Sequence, residues 1–327
     1  MEFIGRNAIQ NLSDLIDGKV LLFTQDGIYN LFKEKLPRKQ VVLYTRMSEN
    51  PKREEIQLAQ NLFNGEFFDI IVAFGGGSVI DFAKAFRFYD NREVHLIAIP
   101  TTAGTGSQAT QFAVVYVNGV KTSLDNPIIK PNHVIVDSQF VENAPRYLKA
   151  CCAMDAYCQA IESFWAKKST QESQKYALEA IQLCHDFLNK AVNTSDPEAN
   201  EKMALAAHLA GKAINISRTT AAHALSYKIT SKYGIPHGHA VALSIANLFL
   251  QNMDYCDIKP ILKILQISEE NIKRYFHILM QTIGLEDNLE KLGIFDLEEI
   301  VDNINLDRLS NNPKKLDRDD LLKLLSK

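Results

Sequence analysis

The sequence predicts an α/β N-terminal half built on a parallel sheet, followed by an all-α C-terminal half. Three observations carry this reading. Short, nearly continuous apolar runs at 19–24, 40–45, 68–74 and 94–99 alternate with helical segments in the first part. Runs so apolar do not suit a sheet with one wet face and imply parallel strands covered on both sides. Beyond residues 141–150 the texture becomes helix after helix, with no stretch of convincing strand alternation. The expected boundary separates 1–145 from 146–327.

Each element has its own signal. The run at 19–24 ends at Asp26-Gly27, a turn signal, and the run at 40–45 is followed by the breaking Glu49-Asn50-Pro51. Residues 53–63 place Ile56, Leu58, Ala59, Leu62 and Phe63 at helical spacing. The run at 68–74 passes straight into Gly75-Gly76-Gly77-Ser78, with a helix expected from Val79, and the run at 94–99 is closed by Pro100. In the second half, 176–188 and 200–213 read as amphipathic helices.

Composition narrows the function. The 327 residues, 46% hydrophobic and 23% charged, suffice for two buried cores. A formal charge of −3 with scattered basic residues gives no field to attract nucleic acid. The start, Met1-Glu2-Phe3-Ile4-Gly5-Arg6, is not that of a signal peptide, and no run reaches the roughly 18–20 apolar residues of a membrane span. A cytoplasmic protein is expected. Five cysteines, three of them crowded at Cys151, Cys152 and Cys158, suit neither a disulfide framework nor a paired zinc spacing.

Two loops point to a nucleotide. Glycines between a buried strand and a helix let the backbone approach a pyrophosphate, which the helix N-terminus then attracts. Gly75, Gly76 and Gly77 have that context, and Ser78 adds a hydroxyl. The next strand ends in Pro100-Thr101-Thr102-Ala103-Gly104-Thr105-Gly106-Ser107, whose Thr101, Thr102, Thr105 and Ser107 are able to face phosphate, ribose or nicotinamide. Ligands of such sheets bind beyond the carboxyl ends of the strands.

The helical half carries His223, His237 and His239, with Asp155 upstream. Pro236 and Gly238 put His237 at a turn or helix start, and His223 opens a segment expected to be helical. Alone, each would pass for an ordinary structural residue.

The motifs together resemble the iron-containing alcohol dehydrogenase family. The run from Gly75 through Asp81, the 100–107 loop, Asp155-Ala156, His223 with Pro236-His237-Gly238, and Asn312-Pro313 occur in that family's order and span nearly the whole chain. The resemblance implies a dinucleotide-binding domain, with Asp81 among the cofactor residues, a helical domain of dehydroquinate synthase-like architecture, and an active site in the cleft between them. It also implies a metal held by Asp155, His223 and His237. The family's further histidine, four residues after the aspartate, is Gln159 here. Residues four apart share a helix face, so Gln159 can offer its amide oxygen. Otherwise three protein ligands remain with an open position, the usual plan of catalytic zinc. Both Fe2+ and Zn2+ therefore stay open.

The implied chemistry is reversible reduction of a small aldehyde to an alcohol, with the cation polarising the C–O bond. His239 and Tyr227 are the proton-relay candidates, although many relatives carry histidine where Tyr227 stands. Thr45 and Arg46 end the second strand where NAD-preferring relatives place an aspartate, which favours NADP(H) over NAD(H). Arg218 and Thr219, just ahead of His223, suit a phosphonate or phosphate. The same segment resembles a branch that includes phosphonoacetaldehyde reductases. Two alternatives are a sugar phosphate cyclase of the dehydroquinate synthase type and a metal-free nucleotide-binding protein. Apolar helical faces allow a homodimer, and no nucleic-acid or membrane partner is expected.

Overall fold

The computed structural model describes residues 1–36, 40–91, 93–194 and 196–325. The chain divides into two compact units, one of residues 1–102 and 106–143, the other of 103–105 and 144–327.

The first unit is built on six parallel strands: β1 Glu2–Ile4, β2 Val20–Thr24, β3 Val41–Tyr44, β4 Ile70–Gly75, β5 His95–Pro100 and β8 His133–Val136, in the order β1-β8-β5-β4-β2-β3. A separate antiparallel hairpin pairs β6 Phe112–Val117 with β7 Val120–Asp125. The helices are α1 Leu12–Leu15, α2 Asp26–Phe32, α3 Arg53–Leu62 and α4 Gly77–Tyr89. The four expected strands and the helix at 53–63 are present to within two residues at either end.

Strand alternation explains why both faces are dry. Leu21, Phe23, Ile71, Ala73, Leu96 and Ala98 point into one core with Ile56, Phe82 and Phe86. Val20, Leu22, Val72, Phe74, Ile97 and Ile99 point into the other, with Leu12, Phe32 and Phe140. Phe23 packs at 5.3 Å from Phe82 and 5.1 Å from Phe86 between ring centroids, and Phe74 at 4.9 Å from Phe140. Each such side chain contributes roughly 1.5–3 kcal/mol by leaving water.

The winding reverses between β2 and β4, because β3 lies to one side of β2 while β5, β8 and β1 continue on the other. In doubly wound sheets that point opens a crevice at the carboxyl ends of the strands. Gly75, the last residue of β4, stands there.

The second unit is helical. Its main helices are α5 Arg146–Trp165, α6 Gln171–Asn193, α7 Pro197–Ser217, α8 Ala221–Tyr233, α9 His237–Asn252, α10 Lys259–Leu265 and α11 Ile272–Ile283. Three short ones follow: α12 Leu297–Asp302, α13 Leu306–Ser310 and α14 Arg318–Leu325. Among the described residues of this unit there is no strand. Helix α5 is buried almost continuously from Ala150 to Trp165, and its many alanines and cysteines let neighbours come close on several sides. All five cysteines are free thiols. No helix among the described residues is long and apolar enough to cross a membrane.

Candidate metal centre

Asp155, Gln159 and Glu162 recur at helical spacing on one face of α5. His223 lies in the first turn of α8, and His237 is the first residue of α9. Gly238 explains how α9 reaches α5. A Cβ on it would stand 1.9 Å from the Cys151 carbonyl oxygen and 2.7 Å from Asp155 Cβ, so no side chain fits there.

One oxygen, Asp155 Oδ1, sits 3.3 Å from His223 Nε2 and 3.8 Å from His237 Nε2. Ligand atoms of Asp155, His223 and His237 lie within 4.8 Å of one another. Asp155, Gln159 and His223 are each 4% exposed or less, whereas the His237 side chain is 30% exposed and forms the open side. Asp155 Oδ1, His223 Nε2 and Gln159 Oε1 are buried without a hydrogen-bond partner. Orphaned polar atoms cost about 1–3 kcal/mol each, so three converging from two helices describe a hole shaped for a cation. Donors spaced this way suit an ion bound at about 2.0–2.2 Å from nitrogen and oxygen. Residues and group therefore fit.

The amide of Gln159 is oriented from behind. Its Nε2 donates to the Thr105 carbonyl at 3.3 Å, while Oε1 is buried without a hydrogen-bond partner. Residues 103–105 belong to the helical unit because Gly104 lies on α5, where a Cβ would meet Cys152 Cα at 2.9 Å. His237 is set by Ser226, whose hydroxyl donates to the His223 carbonyl at 2.8 Å and accepts from His237 Nδ1 at 3.2 Å. That places the lone pair of His237 on Nε2. Burial pushes the Asp155 carboxyl up, but the imidazoles of His237 and His223 outweigh it and hold its pKa below the usual value. Burial likewise opposes the charged form of His223, yet the carboxylates of Glu162 and Asp155 raise it to about 9.

The relay candidates separate. His239 is 1% exposed, with Nε2 donating to the Glu286 carbonyl at 2.7 Å and Nδ1 facing the Tyr147 hydroxyl at 3.1 Å. Both ring nitrogens of His239 are thus engaged, one by a backbone carbonyl and one by a tyrosine hydroxyl. The Tyr227 ring lies 6.2 Å from the His237 ring between centroids and stays half-buried. Arg218 joins α7 to α8 at φ 65° and ψ 175°, a conformation that residues with a side chain rarely adopt, and its Nη1 donates to the Asn215 carbonyl at 2.7 Å. Thr219 is buried, 4% exposed.

In the first unit the helix begins two residues earlier than expected. Gly76 caps α4 and Gly77 is its first residue, which places the helix N-terminus inside the glycine run, with Ser78 in the first turn. Thr102 lies over Gly76, where a Cβ would be 3.5 Å from its hydroxyl, and Thr101 binds back to β4 through its amide. Thr45 and the exposed Arg46 follow β3 at the sheet edge.

Asp81 and Ser107 face each other. Ser107 Oγ donates to Asp81 Oδ1 at 2.5 Å, and the Val114 amide donates to Oδ2 at 2.9 Å. Together they form an internal brace. At its centre is Lys84, fully buried, whose Nζ donates to Ser107 O, Ser107 Oγ, Thr110 Oγ1 and Phe112 O at 2.5, 3.0, 3.0 and 2.7 Å. Burial drives the Lys84 pKa down, to about 7, against the pull of Asp81. The sequence did carry a signal for Lys84: a lone lysine in the apolar stretch Phe82-Ala83-Lys84-Ala85-Phe86.

Comparison with known proteins decides the family. The model of iron-containing alcohol dehydrogenase matches residues 2–138, and that of the Fe-containing alcohol dehydrogenase family, C-terminal, matches 149–327. The chain belongs to the iron-containing alcohol dehydrogenase family. Among its relatives, phosphonoacetaldehyde reductase of Streptomyces viridochromogenes is 32% identical over 211 residues, 56% of this chain and 53% of that protein. The chain thus spans about half the length of that relative. The NADPH-dependent butanol dehydrogenase of Clostridium saccharobutylicum is 27% identical over 332 residues, covering 93% and 81% of the two chains. Among solved structures, sulfoacetaldehyde reductase from Bifidobacterium kashiwanohense in complex with NAD+ superposes with a TM-score of 0.93 at 25% identity, covering 99% of this chain and 96% of that one.

Proposed function

We propose that this member of the iron-containing alcohol dehydrogenase family is a metal-dependent, NADP(H)-preferring reductase of a short anionic aldehyde, with phosphonoacetaldehyde, reduced to 2-hydroxyethylphosphonate, as the first choice. The observation that carries it is the convergence of Asp155 Oδ1, Gln159 Oε1 and His223 Nε2, buried and unpartnered, with His237 beside them.

Asp155, Gln159, His223 and His237 would hold a divalent cation, which would supply Lewis-acid polarisation of the substrate carbonyl. Asp155 gives the site its one negative charge, and Gln159 adds a neutral oxygen donor, a set that serves zinc or iron. A bound reduced nicotinamide would supply the hydride for the carbonyl carbon, and the oxygen needs a proton besides. Tyr227, beside the more open His237, and His239 are the side-chain candidates to hold that proton. In the first unit, Gly75, Gly76, Gly77 and Ser78 would hold the pyrophosphate at the N-terminus of α4. Arg46 follows β3, where a 2′-phosphate would find a cation and no competing carboxylate.

The anionic substrate rests on Arg218. A side-chain-bearing residue held at φ 65° is strained, and such strain gathers at functional positions. The names of the two relatives, one reducing a phosphonate and one a sulfonate aldehyde, point to the same substrate class.

The test is turnover of metal-analysed protein with NADPH or NADH and phosphonoacetaldehyde, sulfoacetaldehyde or propionaldehyde, beside Asp155→Ala. Metal-dependent oxidation of NADPH, faster with the anionic aldehydes and lost in Asp155→Ala, supports the proposal. Equal rates with propionaldehyde, unaltered by Arg218→Ala, would remove the anionic substrate. Turnover of a sugar phosphate without net nicotinamide oxidation would point to a cyclase instead. Absence of both metal and turnover would leave a nucleotide-binding protein.

A further inference from the structure

Glu162, which no sequence motif singled out, is wholly buried on α5, seven residues after Asp155. Its two oxygens have different partners. Oε1 accepts from the Thr220 hydroxyl at 2.6 Å, the Thr220 amide at 3.1 Å, the Ala222 amide at 2.9 Å and, more weakly, the His223 amide at 3.5 Å. Oε2 meets His223 Nδ1 in a short contact. Thr220, at the N-cap of α8, makes no side-chain cap of its own, so a carboxylate from α5 satisfies the first amides of α8.

We infer that Glu162 is a positioning residue that selects the Nδ1–H form of His223 and so directs its Nε2 lone pair at the cation. An ionised carboxylate only accepts, so the proton of a neutral His223 lies on Nδ1 and Nε2 is left bare. Nε2 is the atom found buried and unpartnered 3.3 Å from Asp155 Oδ1. A ligand histidine whose other nitrogen is held by a carboxylate is the usual outer-shell arrangement of metal sites. The same charge anchors α8, so one side chain fixes both the place of His223 and the nitrogen it presents. This inference rests on the metal site proposed above.

Glu162→Gln separates orientation from anchoring. The Oε1 position faces the Thr220 amide, the Thr220 hydroxyl and the Ala222 amide, so the Gln oxygen goes there and its NH2 turns to His223 Nδ1. An NH2 donor at Nδ1 forces the ring proton onto Nε2, the nitrogen meant for the ion. The control is Thr220→Val. It removes one donor to the same carboxylate and the acceptor of the Trp165 indole, but leaves the contact with Nδ1.

The readout is the zinc dissociation constant of chelator-stripped full-length protein, by competition with a chromogenic chelator, with circular dichroism to confirm folding. Glu162→Gln is expected to bind zinc about 10- to 100-fold more weakly, while Thr220→Val binds as the wild type does. Wild-type affinity in Glu162→Gln, or equal losses in both variants, overturns the inference. Should Glu162→Gln not fold, zinc-loaded wild type with 15N-labelled histidine decides. His223 must then show a proton on Nδ1 and the metal-bound shift on Nε2, and the reverse assignment overturns it. Wild-type protein that takes up neither zinc nor ferrous ion would instead sink the metal site itself.

Discussion

Asn311 holds the carbonyls of both neighbours of Arg218. Its Nδ2 donates to the Ser217 carbonyl at 2.8 Å and to the Thr219 carbonyl at 3.0 Å, while its Oδ1 accepts from the Lys168 amide at 3.1 Å. Positive-φ backbone at a residue with a side chain costs about 1–3 kcal/mol and persists only where its surroundings enforce it. This buried amide is the enforcement. Asn311→Ala should therefore lower stability by about 1–3 kcal/mol, since two buried carbonyls lose their donor. If Arg218 binds the charged end of the substrate, KM for phosphonoacetaldehyde should rise more than kcat falls, with little change for propionaldehyde. Steady-state kinetics on both aldehydes checks this, and a uniform fall in kcat for both would count against it.

Gly238 admits the start of α9 to α5. In Gly238→Ala the new methyl group meets the Cys151 carbonyl, which is backbone and cannot swing aside. Helix α9 must back away, at an overpacking cost of about 1–3 kcal/mol, and His237 moves with it. Zinc titration should show weakened binding together with a lower midpoint of thermal unfolding. Unchanged zinc affinity would mean that His237 is not a ligand.

Lys84 is the keystone of the loop that follows β5. Lys84→Met leaves the buried Ser107 and Phe112 carbonyls without their donor, and each buried acceptor so orphaned costs about 1–3 kcal/mol. Urea unfolding should reveal the loss, and fluorescence titration should show weaker NADPH binding, because the brace supports the 100–107 loop. Intact NADPH affinity in a destabilised variant would confine Lys84 to folding.

Arg46 tests cofactor choice. One charge-assisted hydrogen bond to a 2′-phosphate is worth about 1.5–3 kcal/mol. Arg46→Ala should reduce kcat/KM for NADPH roughly tenfold or more and leave NADH almost unaffected. Equal losses with both nucleotides would place the guanidinium elsewhere than on the 2′-phosphate.

Metal removal should show in stability as well as rate. An ion at 100 times its dissociation constant stabilises the folded state by about 2.7 kcal/mol. Differential scanning calorimetry with zinc and after chelation should therefore give separated transitions for the wild type, and one shared transition for Asp155→Ala.

Much of this was legible in the residues. The apolar runs and glycine punctuation located β2 to β5, because strands buried on both faces have nowhere to hide polar side chains. Asp155, His223 and His237 were found by motif, and their convergence needed only helices of the right phase. The hairpin was missed although Asn118-Gly119 marks its turn: the two strands are adjacent to one another but not to the main sheet, so no alternation with helices announced them. Strand β1 has three residues, too few for a periodic signal. The resemblance of the Gly75 to Asp81 run carries no sign that Ser107 and the Val114 amide bind both oxygens of Asp81, because those partners lie 26 and 33 residues away. Glu162 escaped because its partners, Thr220 to His223, lie about sixty residues away. Spacing within one helix cannot announce a cap on another.

The chain holds a single tryptophan, and Trp165 is buried with its indole N–H donating to the Thr220 hydroxyl, against the edge of Phe249 at 5.0 Å. Nature has thus wired one optical probe to the start of α8. Its emission should follow the fate of the helical unit alone and stay silent while the sheet unit melts. A comparison of fluorescence with far-ultraviolet dichroism would then time the two collapses separately, with no label attached.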